Sequence, residues 1–307
     1  MPTRHAATGP RRLRRTADGS TFAPTRFELE PLGITLGAEV QGLDLGQPLD
    51  DATFAELQRC WLEWKVLVFR DQHLSIEQHG AFAARWGRLI DDQLDTRSAE
   101  NPADNVVVFT RDATTVGLEN CWHTDGTFRP MPTAGTTLRA IEVPDVGGDT
   151  LFADSAAAYD NLADDDRALV DRVDARHDWS IGEYAGKYGD QLDHFRSLHP
   201  PAVHPMAIAH PVTGRPTLFV NALFTDAVVG VDAGEGERLL DRALATFRWP
   251  ELQFRLRWRP GTLALWDNIA VQHYGASDYY PARRTMARAT FMSTTFDHLE
   301  RAPTTPF

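Results

Sequence analysis

The strongest constraint on the fold is a His-x-Asp triplet, His123-Thr124-Asp125, combined with a distant third residue, His273. On a strand, residues i and i+2 point to the same side, so His123 and Asp125 can reach one metal ion together. Two histidines and one carboxylate form the ligand set of non-haem Fe(II) oxygenases. A chain that uses this set must fold so that strands far apart in sequence come together.

Short apolar runs separated by Gly and Pro turns supply such strands. The sequence predicts strands within 27–45 and at 66–69, 105–110, 136–143, 253–258, 262–266, 271–274 and 284–292. Helices are predicted after a cap at Asp50 or Asp51, after Ser75, as two short pieces within 156–172, and at 235–247. This pattern indicates a mainly β fold with flanking helices, either a sandwich or a jelly roll. A jelly roll, that is, a double-stranded β-helix of cupin type, accounts for the long spacing of the three ligands.

The triplet alone is weak evidence, because a chain with 11 histidines can contain one by accident. The simple alternative is a core histidine that is hydrogen-bonded to a nearby carboxylate. A second triplet, His298-Leu299-Glu300, has no later histidine and is predicted to be a solvated turn. Cys121 lies two residues before His123, so it is either a further thiol ligand or a small packed residue.

Composition excludes several classes of protein. A formal net charge of −12 argues against general binding to nucleic acid or to an anionic membrane. No apolar run approaches the ~20 residues of a membrane span. Two cysteines do not make a disulfide framework, which favours a reducing, cytoplasmic setting. The expected partner is a small-molecule substrate, and a homo-oligomer is left open.

The chain reads as one domain at 27–307 with a tail before it. Residues 1–26 are rich in Arg, Thr and Pro and hold little apolar surface, which predicts a disordered basic tail. Its basic run at 11–15 could instead contact phosphates. Residues 180–204 are rich in Gly, Tyr, His and Pro, and we expect an irregular, lid-like segment there.

Several blocks in register resemble the taurine/α-ketoglutarate dioxygenase family, which also includes dichlorophenoxyacetate and alkylsulfate dioxygenases. The blocks are Trp122-His123-Thr124-Asp125, Gly147-Gly148-Asp149-Thr150-Leu151, Leu218-Phe219-Val220-Asn221, Trp266-Asp267-Asn268 through His273, and Arg283-Arg284 through Arg288. The resemblance implies a double-stranded β-helix enzyme that uses Fe(II), 2-oxoglutarate (α-ketoglutarate) and O₂ and releases succinate and CO₂. Hydroxylation is the default outcome.

The resemblance also implies roles for individual residues. His123, Asp125 and His273 would bind iron, and Thr150 and Arg284 would hold the distal carboxylate of 2-oxoglutarate. A guanidinium suits that task because it grips a carboxylate through two parallel hydrogen bonds. Four residues on, and on the same side of a strand, Arg288 would contact an anionic group of the substrate.

For Arg288, a surface charge or a second oxoglutarate contact is the alternative, and Arg283 is predicted to point outward as a surface charge. Phe219 is a further candidate substrate contact. By rough alignment, the sulfonate-binding positions of the taurine enzyme fall near Asp92 and Asp95, and another pocket position falls near Glu183.

An acidic rim made by these three residues would repel a sulfonate and suit an ammonium group, unless the residues form an ordinary solvated loop. The expected substrate therefore carries an anionic group together with an amine. Two other readings stay open. The same oxidising chemistry could give desaturation or C–N or C–S cleavage, or the chain could be a non-catalytic, metal-binding, cupin-like protein.

Overall fold

A computed structural model describes Pro10 and residues 12–90, 105–115, 117, 119–181, 185–186 and 189–303. The strands are β1 (Glu28–Pro31), β2 (Ala38–Gln41), β3 (Val66–Phe69), β4 (Arg88–Leu89), β5 (Val107–Arg111), β6 (Gly135–Glu142), β7 (Thr150–Asp154), β8 (Asp174–His177), β9 (Ala202–Pro205), β10 (Ala207–Ala209), β11 (Pro216–Leu218), β12 (Thr225–Val229), β13 (Gln253–Leu256), β14 (Leu263–Asp267), β15 (Val271–Gly275), β16 (Arg284–Met292) and β17 (Glu300–Arg301). The helices are α1 (Asp51–Trp64), α2 (Ile76–Ala84), α3 (Ser155–Asp160), α4 (Asp164–Val170), α5 (Leu192–Leu198) and α6 (Ala233–Thr246).

The largest sheet has eight strands, ordered β1-β2-β3-β14-β6-β16-β4, with β5 also paired to β16. All of its pairings are antiparallel except β2 with β3. Both faces of its centre are covered, because every residue of β3 and β14 is buried. This explains why these strands read as continuous apolar runs in the sequence.

A three-stranded sheet, β13-β7-β15, lies against one face of the large sheet. The core between them takes side chains from both sheets: Val66, Val68, Leu138, Ala264, Trp266 and Met286 from the large one, and Phe152, Phe254, Leu256 and Val271 from the small one. The protein is therefore mainly β, with two sheets packed face to face and helices outside. His273 lies on β15 and Thr150 on β7 of the small sheet, whereas Arg284 and Arg288 lie on β16 of the large one.

Helix α1 begins where the sequence predicted, because the Asp50 side chain accepts a hydrogen bond from the amide of Thr53. Helix α2 begins with a capping box between Ser75 and Gln78. Both helices pack apolar side chains against the large sheet, including Leu57, Phe82 and Trp86. The predicted helix caps are confirmed.

The N-terminal residues differ from the expectation of disorder. Residues 12–26, the part of the tail described apart from Pro10, lie against the body. Arg14 pairs with Asp160 at 2.9 Å, and the Arg15 guanidinium lies 4.0 Å from the centre of the Trp64 ring. The physical reasons are charge pairing and aromatic stacking, together with the packing of Phe22 against the core beside α1. The composition argument did not weigh these contacts.

The described part of 180–204 contains α5 and the start of β9, and its role as a lid stays a prediction. Phe195 of α5 is buried, and the indole of Trp179 donates to the carbonyl of His199 at 2.8 Å. No helix in the described ranges is both long and apolar enough to cross a membrane.

Candidate active site

The two histidines of the candidate metal centre face each other across a single antiparallel bridge. The amide of His123 donates to the carbonyl of His273 at 3.0 Å, and the amide of His273 donates back at 2.8 Å. Their ring centres lie 4.1 Å apart. The fold thus brings the predicted distant ligand beside the His-x-Asp triplet.

Asp125 completes the group, although not on a continuous strand as predicted. His123 forms only the bridge, and Asp125 opens a turn. Its Oδ1 atom lies 3.8 Å from Nε2 of His123 and 3.7 Å from Nε2 of His273. The ligand atoms of the three residues all lie within 4.8 Å of one another, which is close enough for all three to coordinate one metal ion.

Hydrogen bonds and burial prepare these groups to bind a cation. Nδ1 of His123 lies 2.7 Å from the carbonyl of Cys121, which can only accept, so the proton is on Nδ1 and the Nε2 lone pair is free for a metal. Burial, followed by the nearby His123, lowers the pKa of His273 to about 3, which favours the neutral imidazole. Burial alone would raise the pKa of Asp125, but its interactions with His273, Arg288 and His123 and the hydrogen bond from Thr136 hold it below its usual value.

Polar side chains of two loops and of β6 hold Asp125. The hydroxyl of Thr136 donates to Asp125 Oδ2 at 3.0 Å, and the hydroxyl of Thr133 donates to the Asp125 carbonyl at 2.9 Å. The Asn268 amide donates to both hydroxyls, at 3.0 and 2.8 Å. Sequence reasoning missed the two threonines. Asn268 was noted only as part of a motif.

The residues expected to hold 2-oxoglutarate lie around one tryptophan. The Trp258 indole donates to the hydroxyl of Thr150 at 2.9 Å, which leaves the hydroxyl proton of Thr150 available to another acceptor. The Arg284 guanidinium lies 5.9 Å from the centre of the same ring. Gly148, at φ +70°, lies so close that an added Cβ would be 3.2 Å from Arg284 Cδ.

Arg284 is buried and incompletely paired. It is 9% exposed, and among the described residues its Nε has no hydrogen-bond partner. Burial lowers the pKa of this guanidinium, an effect partly opposed by Tyr279 and Glu119. Because a buried, unpaired donor is costly, this position fits an anionic ligand.

Two further arginines follow the predicted alternation: Arg288 lies on β16, and Arg283 directly precedes this strand. Arg288 is half-buried and close enough to Asp125 and His273 to lower the pKa of both. Arg283 points outward, with its side chain 60% exposed and 3.4 Å from Glu142. The prediction of a surface charge at Arg283 is confirmed.

An ion pair that sequence reasoning missed lies beside the site. Arg111 of β5 pairs with Glu119 at 2.6 Å, and the Glu119 carbonyl accepts from the amide of Gly275, two residues after His273. Glu119 raises, and Arg111 lowers, the pKa of Arg284. No sequence signal pointed to this pair, because the two residues belong to no motif.

The remaining predicted site residues have different outcomes. Asp92, Asp95 and Glu183 lie outside the described residues. Phe219 is 3% exposed and packs with Ile208 and Ile269, its ring 5.6 Å from that of His204. Its role as a substrate contact stays a prediction.

From the same segment, Asn221 supports the site indirectly, because its amide donates at 2.9 Å to the hydroxyl of Thr127, two residues after Asp125. In the second triplet, the His298 side chain is 70% exposed, as predicted for a solvated turn. Cys121 is half-buried, and its carbonyl rather than its thiol contacts His123.

Fold and site together define a mainly β protein with a two-histidine, one-carboxylate metal centre. A profile described as "Taurine catabolism dioxygenase TauD, TfdA family" matches residues 28–290. The chain belongs to this family.

Individual proteins support the same assignment. The chain is 36% identical over 265 residues to an (S)-phenoxypropionate/alpha-ketoglutarate-dioxygenase of Sphingobium herbicidovorans, covering 80% of this chain and 88% of that protein. It is 31% identical over 284 residues to an alpha-ketoglutarate-dependent sulfate ester dioxygenase of Pseudomonas putida, covering 87% and 91%.

A solved structure of a protein called AAD-2, in complex with Mn(II) and N-oxalylglycine, matches with a TM-score of 0.73 and 27% identity, covering 88% of this chain and all of that one. The chain is therefore an Fe(II)- and 2-oxoglutarate-dependent dioxygenase, as the sequence predicted.

Proposed function

We propose that the protein hydroxylates a small organic substrate that carries an anionic group, with Fe(II) held by His123, Asp125 and His273. The observation that carries this proposal is the triad itself, whose ligand atoms lie within 4.8 Å of one another. The donor set fits Fe(II), because two neutral imidazoles and one carboxylate leave coordination positions open for co-substrates.

Arg284 and Thr150 bind the distal carboxylate of 2-oxoglutarate in this proposal. The buried Nε of Arg284, without a partner among the described residues, fits a missing anion, and Trp258 orients the Thr150 hydroxyl toward donation. When bound, Fe(II) would supply oxidising chemistry in which dioxygen is the oxidant and oxoglutarate is converted to succinate and CO₂. The protein's own contribution is to position both and to exclude water, since His123 and His273 are 6% and 8% exposed.

Arg288 provides the group that attracts the substrate anion. Its influence on the pKa values of Asp125 and His273 supports a position beside the metal centre. The names of two relatives, a phenoxypropionate dioxygenase and a sulfate ester dioxygenase, describe substrates with an anionic group. An additional amine on the substrate depends on Asp92, Asp95 and Glu183 lining the pocket mouth.

Two structural expectations accompany this function. The facing sheets, with the triad between them, are those of a double-stranded β-helix, and residues 180–204 act as a lid over the substrate. The free cysteines, Cys60 and Cys121, support a reducing, cytoplasmic setting.

The test is oxoglutarate turnover in the presence of candidate substrates, scored by succinate release. A screen should compare simple carboxylates, sulfates and sulfonates, amine-bearing carboxylates and uncharged analogues. His123→Ala should abolish Fe(II) binding and succinate release, because it removes one of three ligands. His298→Ala, which removes an exposed histidine elsewhere, is the matched control. Normal turnover in His123→Ala would refute the metal assignment, and a best substrate without charge would refute the role of Arg288.

A further inference from the structure

We propose that Thr136, oriented by Asn268, is a positioning residue that leaves only one oxygen of Asp125 available to the metal. This inference rests on the proposed function, since it assigns a task to residues behind the metal centre. Neither Thr136 nor Asn268 is itself a proposed metal ligand. Both act through Asp125.

Hydrogen bonds link Trp266, Asn268, Thr136 and Asp125 in a relay. Their directions follow from Trp266, at the end away from Asp125. The indole of Trp266 can only donate, and it donates to Oδ1 of Asn268 at 2.8 Å. The amide group of Asn268 must then face the other way, where Nδ2 donates to Thr133 at 2.8 Å and Thr136 at 3.0 Å. The Asn268 backbone amide is also held, by the carbonyl of Ala134 at 3.0 Å.

Each threonine accepts from the Asn268 amide and so directs its single proton elsewhere. Thr133 donates to the Asp125 carbonyl at 2.9 Å, which fixes the backbone of the turn. Thr136 donates to Asp125 Oδ2 at 3.0 Å, which fixes the side chain. Water does not compete for these bonds, because Thr136, Asn268 and Trp266 are at most 2% exposed.

The two carboxylate oxygens of Asp125 therefore have different surroundings. Oδ1 faces the histidines, at 3.8 and 3.7 Å from their Nε2 atoms, while Oδ2 is held by Thr136. A carboxylate can bind a metal through one oxygen or both. If both oxygens bound, one fewer position would remain for oxoglutarate and dioxygen. Thr136 keeps that position open by holding Oδ2 away.

The experiment compares variants of Thr136 with a matched control on the same strand. Thr136→Val removes the hydroxyl and keeps the shape, Thr136→Ala removes it without adding a methyl group, and Thr136→Ser retains it. Thr137→Val is the control, because Thr137 is equally buried but bonds to Ala289 and His79 instead of Asp125.

The primary readout is the number of water molecules on protein-bound Mn(II), measured by water-proton relaxation without oxoglutarate. The native protein should retain about three waters on a three-ligand site. Thr136→Val and Thr136→Ala should lose about one water and change the Mn(II) dissociation constant by about 10-fold or more. Thr136→Ser and Thr137→Val should resemble the native protein.

If both Thr136→Val and Thr136→Ala keep the native number of waters on bound Mn(II) and the native Mn(II) dissociation constant, the inference is wrong. An equal change in Thr137→Val would overturn it too, since the effect would then come from general packing. Failure of the proposed function is distinguishable, because that function is tested separately: native protein would then release no succinate with any candidate substrate, or would bind no Mn(II) that depends on His123.

Discussion

Replacing Arg284 by Met should weaken 2-oxoglutarate binding and at the same time stabilise the protein without co-substrate. Arg284 is buried beside Trp258, and its Nε has no partner among the described residues. Met fills similar space without charge. The opposite signs of the two effects distinguish a binding arginine from a structural one, whose loss would destabilise the fold.

The magnitude follows from the bonds that Arg284 would make. Hydrogen bonds to a charged group contribute about 1.5–3 kcal/mol each. Loss of about 3 kcal/mol from a two-bond contact raises the dissociation constant of oxoglutarate by roughly 100-fold. In the absence of co-substrate, an unsatisfied buried donor costs about 1–3 kcal/mol, so Arg284→Met should raise the melting temperature.

Calorimetric titration of oxoglutarate into Mn(II)-loaded protein measures the first effect, and thermal unfolding without oxoglutarate measures the second. Arg283→Met is the matched control, because this neighbour is 60% exposed and points away. An oxoglutarate affinity within about threefold of native in Arg284→Met would refute the reasoning. An equal loss of oxoglutarate affinity in Arg283→Met would also refute it.

Two further predictions concern pH and the lid. Burial, and then the charge of Arg139, lowers the pKa of His79 to about 3, so between pH 6.5 and 3 the unfolded chain binds a proton that the native protein does not. The free energy of unfolding should therefore fall on acidification below pH 6.5. In urea unfolding, His79→Gln should reduce this dependence on pH by up to ~1.4 kcal/mol per pH unit. The control is His73→Gln, which replaces an exposed histidine and should leave the dependence on pH unchanged. Hydrogen exchange within 180–204 should slow when substrate and oxoglutarate bind to Mn(II)-loaded protein without oxygen, and equal exchange would contradict the lid.

Features encoded locally could be predicted from the sequence. Asp50 and Ser75 cap helices because a short polar side chain beside the first turn satisfies free amides wherever the helix lies. The alternation of Arg283, outward, and Arg284, inward, follows from the geometry of a single strand. The metal ligands were recognisable because few residue types can bind iron in that combination.

Features that depend on pairing between distant elements could not be predicted in this way. Thr136 lies on β6 and Asn268 follows β14, and only the register that pairs Trp266 with Thr136 brings their side chains to Asp125. Threonine and asparagine occur throughout the chain, so composition gives no signal for the relay. The packing of residues 12–26 likewise depends on Asp160 and Trp64, which no local pattern connects to the tail.

The proposed negative charge on the substrate agrees with the charged groups that surround the metal site. Doubly charged iron and Arg284 together balance the negative charges of Asp125 and of a dicarboxylate co-substrate. Arg111 and Glu119 balance each other through their ion pair. Arg288 adds a positive charge close enough to Asp125 and His273 to lower the pKa of both. Under the proposed function, this guanidinium attracts an anionic group of the substrate in a poorly solvated site, where opposite charges interact strongly. An amine on the same substrate requires a further carboxylate, so the zwitterion and the plain anion differ only in what Asp92, Asp95 and Glu183 do.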